Sequence, residues 1–349
     1  MRHAFGWYGG NTLHLVNFTF WVGAYGIEAQ EGYSIYGCVG AVLIFVVILV
    51  SALGTQSVAA NLPRPKDAFR IDEIATELRQ IFQSIRNPNF AALFFYGLLT
   101  GVTSGLDAAL YLYTTTYYFL FKPQQIAGAS LAISVSPAVA FYAAPFFGAR
   151  WGKKRAAFAA IVSSMAVWPA PMILVLLGCW PALGSKQSFY AHTAFHVVTI
   201  TLVMSIGVLL DSMMADVVED SEVVTQRRSE GLFFAARGFA AKIVSAGGIV
   251  LAGQVVSLVG LDHIKGADMV THQVRLRLAG FVVPLNWVLS VLSLFALSRY
   301  TIDHEKHLGN LATLAKFPNM FEEMPFTDPT LSTGSREEEL HADVVGKCT

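Results

Sequence analysis

"GLFFAARGFAAKIVSAGGIVLAGQVVSLVG", residues 231–260, is apolar over a length that crosses a bilayer, yet it holds Arg237 and Lys242 within that length. A hydrocarbon core about 30 Å thick takes roughly 20 residues of helix. The stretch therefore reads as a transmembrane helix, and its two cations become the first functional question. The rest of the chain agrees with that solvent: 54% of its 349 residues are hydrophobic, 14% are charged, and the mean hydropathy is +0.52. A soluble domain carries about a quarter charged residues. Together with 231–257, apolar runs near 9–27, 35–54, 91–120, 126–148, 156–179, 190–215 and 279–299 make eight expected spans. The expected fold class is an all-α integral membrane protein, with an even number of crossings placing both ends on one side.

Charge in the loops orients it, because cytoplasmic loops collect Lys and Arg. With Met1 inside, the inner loops hold Arg64, Lys66, Arg70, Arg79, Arg86, then Arg150, Lys153, Lys154 and Arg155, then Arg227 and Arg228. The opposite loops hold fewer, so both termini are expected in the cytoplasm. The longest inner segment, 55–90, contains "FRIDEIATELRQIFQSIRN" with apolar residues at helical spacing, which predicts an amphipathic helix on the membrane surface. Residues 301–349 lose that periodicity and read as a disordered cytoplasmic tail. No cleavable leader is expected. Cys38, Cys179 and Cys348 show no paired spacing, so neither a disulfide framework nor a zinc site is expected from them.

Ionisable groups inside spans are costly and face a wet cavity or a partner. Four stand out: Asp107, Asp211, Arg237 and Lys242. At 1.5 Å per residue from the inner surface, Arg237 lies about 9 Å deep and Lys242 about 16 Å deep, near the midplane. Lys242 is then too deep to snorkel and is expected to be a buried functional lysine. Asp211 falls about 6 Å from the same surface, which favours an ion pair with Arg237 over a substrate contact. Asp107 sits about 24 Å along its helix, followed by Tyr111, Tyr113, Tyr117 and Tyr118. Those tyrosines read either as an interfacial belt or as a stacking platform for a sugar ring beside a hydroxyl-binding Asp107. His14, His192 and His196 are assigned no role. "WPAP" at 168–171 predicts a break in the fifth span. Hydrolase, zinc-protease, Walker and dinucleotide-binding motifs are absent, so no enzyme, cofactor, resident metal site or nucleic-acid partner is expected.

"ADVVEDSEVVTQRRSEGLFFAARGFAAK", residues 215–242, resembles the helix 10, inner loop and helix 11 signature of the glycoside-pentoside-hexuronide:cation symporters, the melibiose-carrier-like branch of the major facilitator superfamily. "RHAFGWYGG" and "GYSIYGCVGAVLIFVVILVSALGT" resemble that family's helices 5 and 6. The resemblance implies a partial twelve-helix fold: 1–54 would be the last two helices of the N-terminal half, 55–90 the central loop, and 91–300 the C-terminal six-helix half. The family's first four helices would be absent, as in a fragment. It further implies symport of a sugar or glycoside with sodium ion or a proton, in a bacterial inner membrane, with a separate N-terminal half as an expected partner.

Residue by residue, Lys242 matches the family's helix 11 lysine between the sugar and cation sites, and Arg2 the helix 5 arginine. Asp216, Glu219, Glu222 and Arg228 match the groups that close the inner gate, although their spacing alone reads as a solvated loop. Gly207 and Gly238 stand where the melibiose branch has a large aromatic and a hydroxyl near the substrate, which argues against a galactoside. The alternatives are a non-sugar or lipid-like solute, or a non-transporting scaffold or partner subunit.

Overall fold

The computed structural model describes residues 2–25, 29–60, 87–225, 230–263, 266 and 269–316. These are nearly all helical, joined by short turns and loops, with no strand among the described residues. Among the described residues, seven helical spans are long and apolar enough to cross a membrane, as the hydropathy pattern predicts for all but the first. That expected first span, near 9–27, is instead a broken unit: α1 (Arg2–Val16), a π-helical turn (Asn17–Trp21) and α2 (Val22–Tyr25). It is not among the seven. α3 (Gln30–Ala60) stands largely exposed, with Phe45, Val47 and Ile48 uncovered. The expected amphipathic helix of the 55–90 segment falls mostly on 61–86, outside the described residues.

α4 (Pro88–Tyr113) begins where Asn87 Oδ1 accepts from the backbone of Asn89 at 2.9 Å and Phe90 at 3.2 Å, with Pro88 at the first helical position. A π-helical turn (Thr114–Tyr118) extends it. α5 (Pro123–Ile133) and α6 (Ser136–Trp151) form one span broken ahead of Pro137, and α7 (Lys153–Val167) and α8 (Ala170–Leu176) form another, broken at Trp168-Pro169 as expected. α9 (Lys186–Thr225), α10 (Glu230–Val259) and α11 (His272–Ser298) complete the bundle, and α12 (His304–Lys316) follows it. α12 corrects the reading of 301–349 as wholly disordered: Leu308, Leu311 and Leu314 recur there at helical spacing, and Asp220 of α9 takes Lys306 and Asn310 from it.

Helix association in lipid relies on close packing at small residues, and α4 meets α10 in this way. A Cβ at Gly101 would lie 2.9 Å from the Ala241 carbonyl oxygen; one at Gly105 would strike the Ser245 carbonyl, and one at Gly248 the Val102 carbonyl. α9 packs against α6 and α7, and α11 against α4. One apolar cluster gathers Leu106, Tyr118, Phe119, Val259 and Leu278; a second gathers Phe90, Met213, Val217, Phe233 and Leu297. Side chains from both reach the cavity between them.

Candidate functional site

That cavity measures about 780 Å³ and is lined by α1, α3, α4, the α7–α8 break, α9, α10 and α11. Its polar groups come from residue types rare inside an apolar bundle. Asn286 Nδ2 donates to Asp107 Oδ1 at 2.9 Å, and among the described residues Asp107 meets this amide and no cation. Next to it, Trp287 Nε1 donates to the Met165 carbonyl at 2.9 Å, tying α11 to α7 at the wall. His192 and His196, four residues apart on α9, share one face. Their rings stack with centroids 5.8 Å apart, and Tyr111 stacks on His196 at 5.4 Å. Tyr111 Oη, His192 Nδ1 and Asn11 Nδ2 line this space, are shielded from solvent, and lack a hydrogen-bond partner among the described residues. Trp168 and Pro171 of the helix break also face it.

Arg237 enters the cavity wall from α10. Its Nη1 donates to Asp211 Oδ1 at 2.6 Å, so the structure brings together the two charges that depth alone pairs. The Arg237 stem passes Gly97, where a Cβ would meet Arg237 Cγ at 3.7 Å, an ordinary packing distance. Lys242 differs from its expected place. It is exposed on α10, beside exposed Phe239 and Ile243, and does not line the cavity. Five residues of helix turn a side chain about 500°, or roughly 140° net, so Lys242 cannot share the face of Arg237.

Tyr113 and Tyr117 are likewise not brought to the cavity. They stack on each other with centroids 6.1 Å apart, while Tyr96 and Tyr111 of α4 line it. Arg2 begins α1, but its side chain is outside the described residues, as is Arg228 altogether.

Asp216, Glu219 and Glu222 lie on a helix rather than a loop, in the last turns of α9. Asp216 is buried and takes Lys153 Nζ at 2.6 and 2.8 Å on its two oxygens. The Tyr300 hydroxyl donates to it at 3.3 Å. Burial first, and then the Asp216 carboxylate, hold the Tyr300 phenol above its ordinary range. Glu219 faces His307 of α12 across 2.9 Å.

An aromatic-walled cavity that sets a few polar groups among apolar membrane-length helices suits a solute carrier. The family profile described as MFS/sugar transport protein matches residues 1–304. The chain belongs to that family. It is therefore an integral membrane protein of major facilitator type, and the family places it among transporters rather than enzymes. Comparison with curated proteins returned no significant match. Sequence reasoning missed Asn286, Trp287 and the histidine pair as cavity groups. The i, i+4 histidine spacing and an asparagine inside the last span were the available signals.

Proposed function

We propose that this chain carries a sugar or similar polyhydroxylated solute across the membrane, coupled to movement of a sodium ion or proton. The observation that carries the reading is the set of solvent-shielded Tyr111 Oη, His192 Nδ1 and Asn11 Nδ2 atoms lining the cavity without partners among the described residues. Buried polar groups left unpaired cost about 1–3 kcal/mol each, and a solute rich in hydroxyls supplies their missing hydrogen bonds. The Trp168, Tyr111 and Trp287 rings give its apolar faces a surface.

Asp107 is the coupling candidate. An ionised carboxylate within the bundle facing only an amide is unfavourable, and a proton or sodium ion arriving with the solute relieves it. The Asp216 end of the bundle would face the cytoplasm, with Lys153–Asp216 and its neighbours closing that side when the cavity opens outward. Purified full chain in liposomes, with sodium or proton gradients and a panel of sugars, tests this; quenching of Trp168 and Trp287 reports binding separately. Asp107→Asn should keep sugar binding and lose gradient-driven accumulation. Failure of every sugar to bind, or undiminished accumulation by Asp107→Asn, refutes the corresponding half of the proposal.

A second reading, in which the chain works with another membrane polypeptide, is favoured by Lys242. A charge on an exposed helix face is costly in lipid and calls for a covering helix with an acidic or hydroxyl side chain. Cross-linking from Lys242→Cys in native membranes would capture such a partner; labelling by lipid-phase probes alone would refute it.

A further inference from the structure

α12 is joined to the end of α9 by a polar seam well away from the cavity. Lys306 Nζ lies 2.8 Å from Asp220 Oδ1, and Asn310 Nδ2 donates to the same oxygen at 3.2 Å. Beside this pair, Asp216 and Glu219 share one face of α9, three residues apart, and His307 of α12 points between them. Its Nδ1 is 2.9 Å from Glu219 Oε2 and 3.3 Å from Asp216 Oδ1. Both Nδ1 and Oε2 are shielded from solvent, and neither has a hydrogen bond among the described residues.

His307 Nδ1 and Glu219 Oε2, 2.9 Å apart with no hydrogen bond between them, repel through their lone pairs unless a proton on the imidazole or a metal ion relieves the contact. The spacings suit a metal. Bonds of about 2.0–2.2 Å set neighbouring donors roughly 3 Å apart at right angles and roughly 3.4 Å apart at the tetrahedral angle. One donor atom from each of Asp216, Glu219 and His307 lies within 4.8 Å of the others. One imidazole and two carboxylates form a donor set for borderline first-row divalent ions, not for soft monovalent copper.

The local charge also leaves room for a cation. Lys153 offsets Asp216 and Lys306 offsets Asp220, so Glu219 is the carboxylate of this trio that faces only His307 among the described residues. Tyr300, donating to Asp216 Oδ2, steadies that ligand from behind.

We propose that Asp216, Glu219 and His307 bind a first-row divalent metal ion, of which zinc is the type, and that the ion fastens α12 to the end of α9. One ligand comes from α12 and two from α9, so the site exists only while the helix is docked. Metal affinity is then docking energy. Lys153, which already holds both Asp216 oxygens including the Oδ1 nearest His307, competes with the ion, which makes this an exchangeable site and not a permanently filled structural one.

The test uses the full chain in nanodiscs, tag removed and stripped of metal, titrated with Zn²⁺ by calorimetry and with Co²⁺ by visible absorption. The expected result is one ion per chain, with His307→Ala and Glu219→Gln each weakening binding about 100-fold or more, beyond the 10- to 100-fold typical of losing an outer-shell partner. His307→Cys should restore Zn²⁺ binding and give Co²⁺ a thiolate charge-transfer band, showing that a damaged fold does not explain the alanine result. No stoichiometric binding by the wild-type chain, or binding that His307→Ala and Glu219→Gln leave undiminished, overturns the proposal. Neither outcome depends on transport, so the cavity reading stands or falls separately.

Discussion

Gly247 and Gly248 are neighbours in the middle of α10, and replacing each with alanine should move stability in opposite directions. Both substitutions gain helix propensity, worth up to about 0.8–1.0 kcal/mol in water and less where the helix is already fixed by lipid. At Gly247 the new methyl meets nothing within 4 Å. At Gly248 it meets the Val102 carbonyl and the Leu106 amide of α4. Those are backbone atoms and cannot rotate aside, so the overpacking cost should sit at the upper end of about 1–3 kcal/mol.

The two variants should therefore differ by about 2–3 kcal/mol, which at roughly 2–4 °C per kcal/mol for a domain of this size is about 4 °C or more in Tm. Intrinsic fluorescence during a thermal ramp, on both variants in the same detergent, measures it. Unfolding of the two within about 1 °C of each other, well inside that expected shift, would mean that α4 and α10 do not cross at Gly248. A less stable Gly247→Ala would mean that the helix faces are wrongly placed.

Three further outcomes are expected. Asp211→Asn and Arg237→Gln singly should each cost about 1–3 kcal/mol, below the 3–5 of a fully buried pair because their side chains are 33% and 19% exposed; the double variant should recover part of the loss, and additive losses in a thermal-shift cycle would refute the pairing. Gly207→Phe has open space at its Cβ and should fold normally while filling the cavity, lowering sugar binding about tenfold or more as a blocked pocket requires; unchanged Trp quenching would contradict this. Tyr300 is held protonated above its ordinary range, chiefly by burial. Above about pH 10 the unfolded chain loses that proton first, so stability should fall as pH rises, and Tyr300→Phe should flatten the alkaline limb of Tm against pH.

Hydropathy made the spans legible because it reports contact with lipid, and it misplaced their ends for the same reason. α9, expected over 190–215, runs Lys186–Thr225 because "DVVEDSEVVT" continues the helix where lipid no longer selects apolar residues. Depth along a helix was enough to pair Asp211 with Arg237, since a pair needs a common level. It was not enough for Lys242, Tyr113 or Tyr117, whose roles depend on the direction each faces. Direction is set by which helix lies alongside, and Gly101, Gly105 and Gly248 decide that through contacts between distant parts of the chain. His307 was illegible for a different reason: its ligating neighbours are 91 and 88 positions away, read from the numbering of Asp216, Glu219 and His307, and its helix carries no apolar stripe toward them.

The length of α9 links the two sites physically. Its 40 residues span about 60 Å at 1.5 Å per residue, twice a hydrocarbon core of about 30 Å. His192, His196 and Gly207 line the cavity along its first part, Asp211 pairs with Arg237 further on, and Asp216, Glu219 and Asp220 meet Lys153, His307 and Lys306 near its end. A continuous helix with no proline inside it transmits tilt without a hinge. A solute that draws the histidine face inward must therefore swing the carboxylates at the other end, and any cation that holds α12 against those carboxylates resists the same swing. α9 is thus the element whose equilibrium both sites would bias, which is the physical condition for coupling between them.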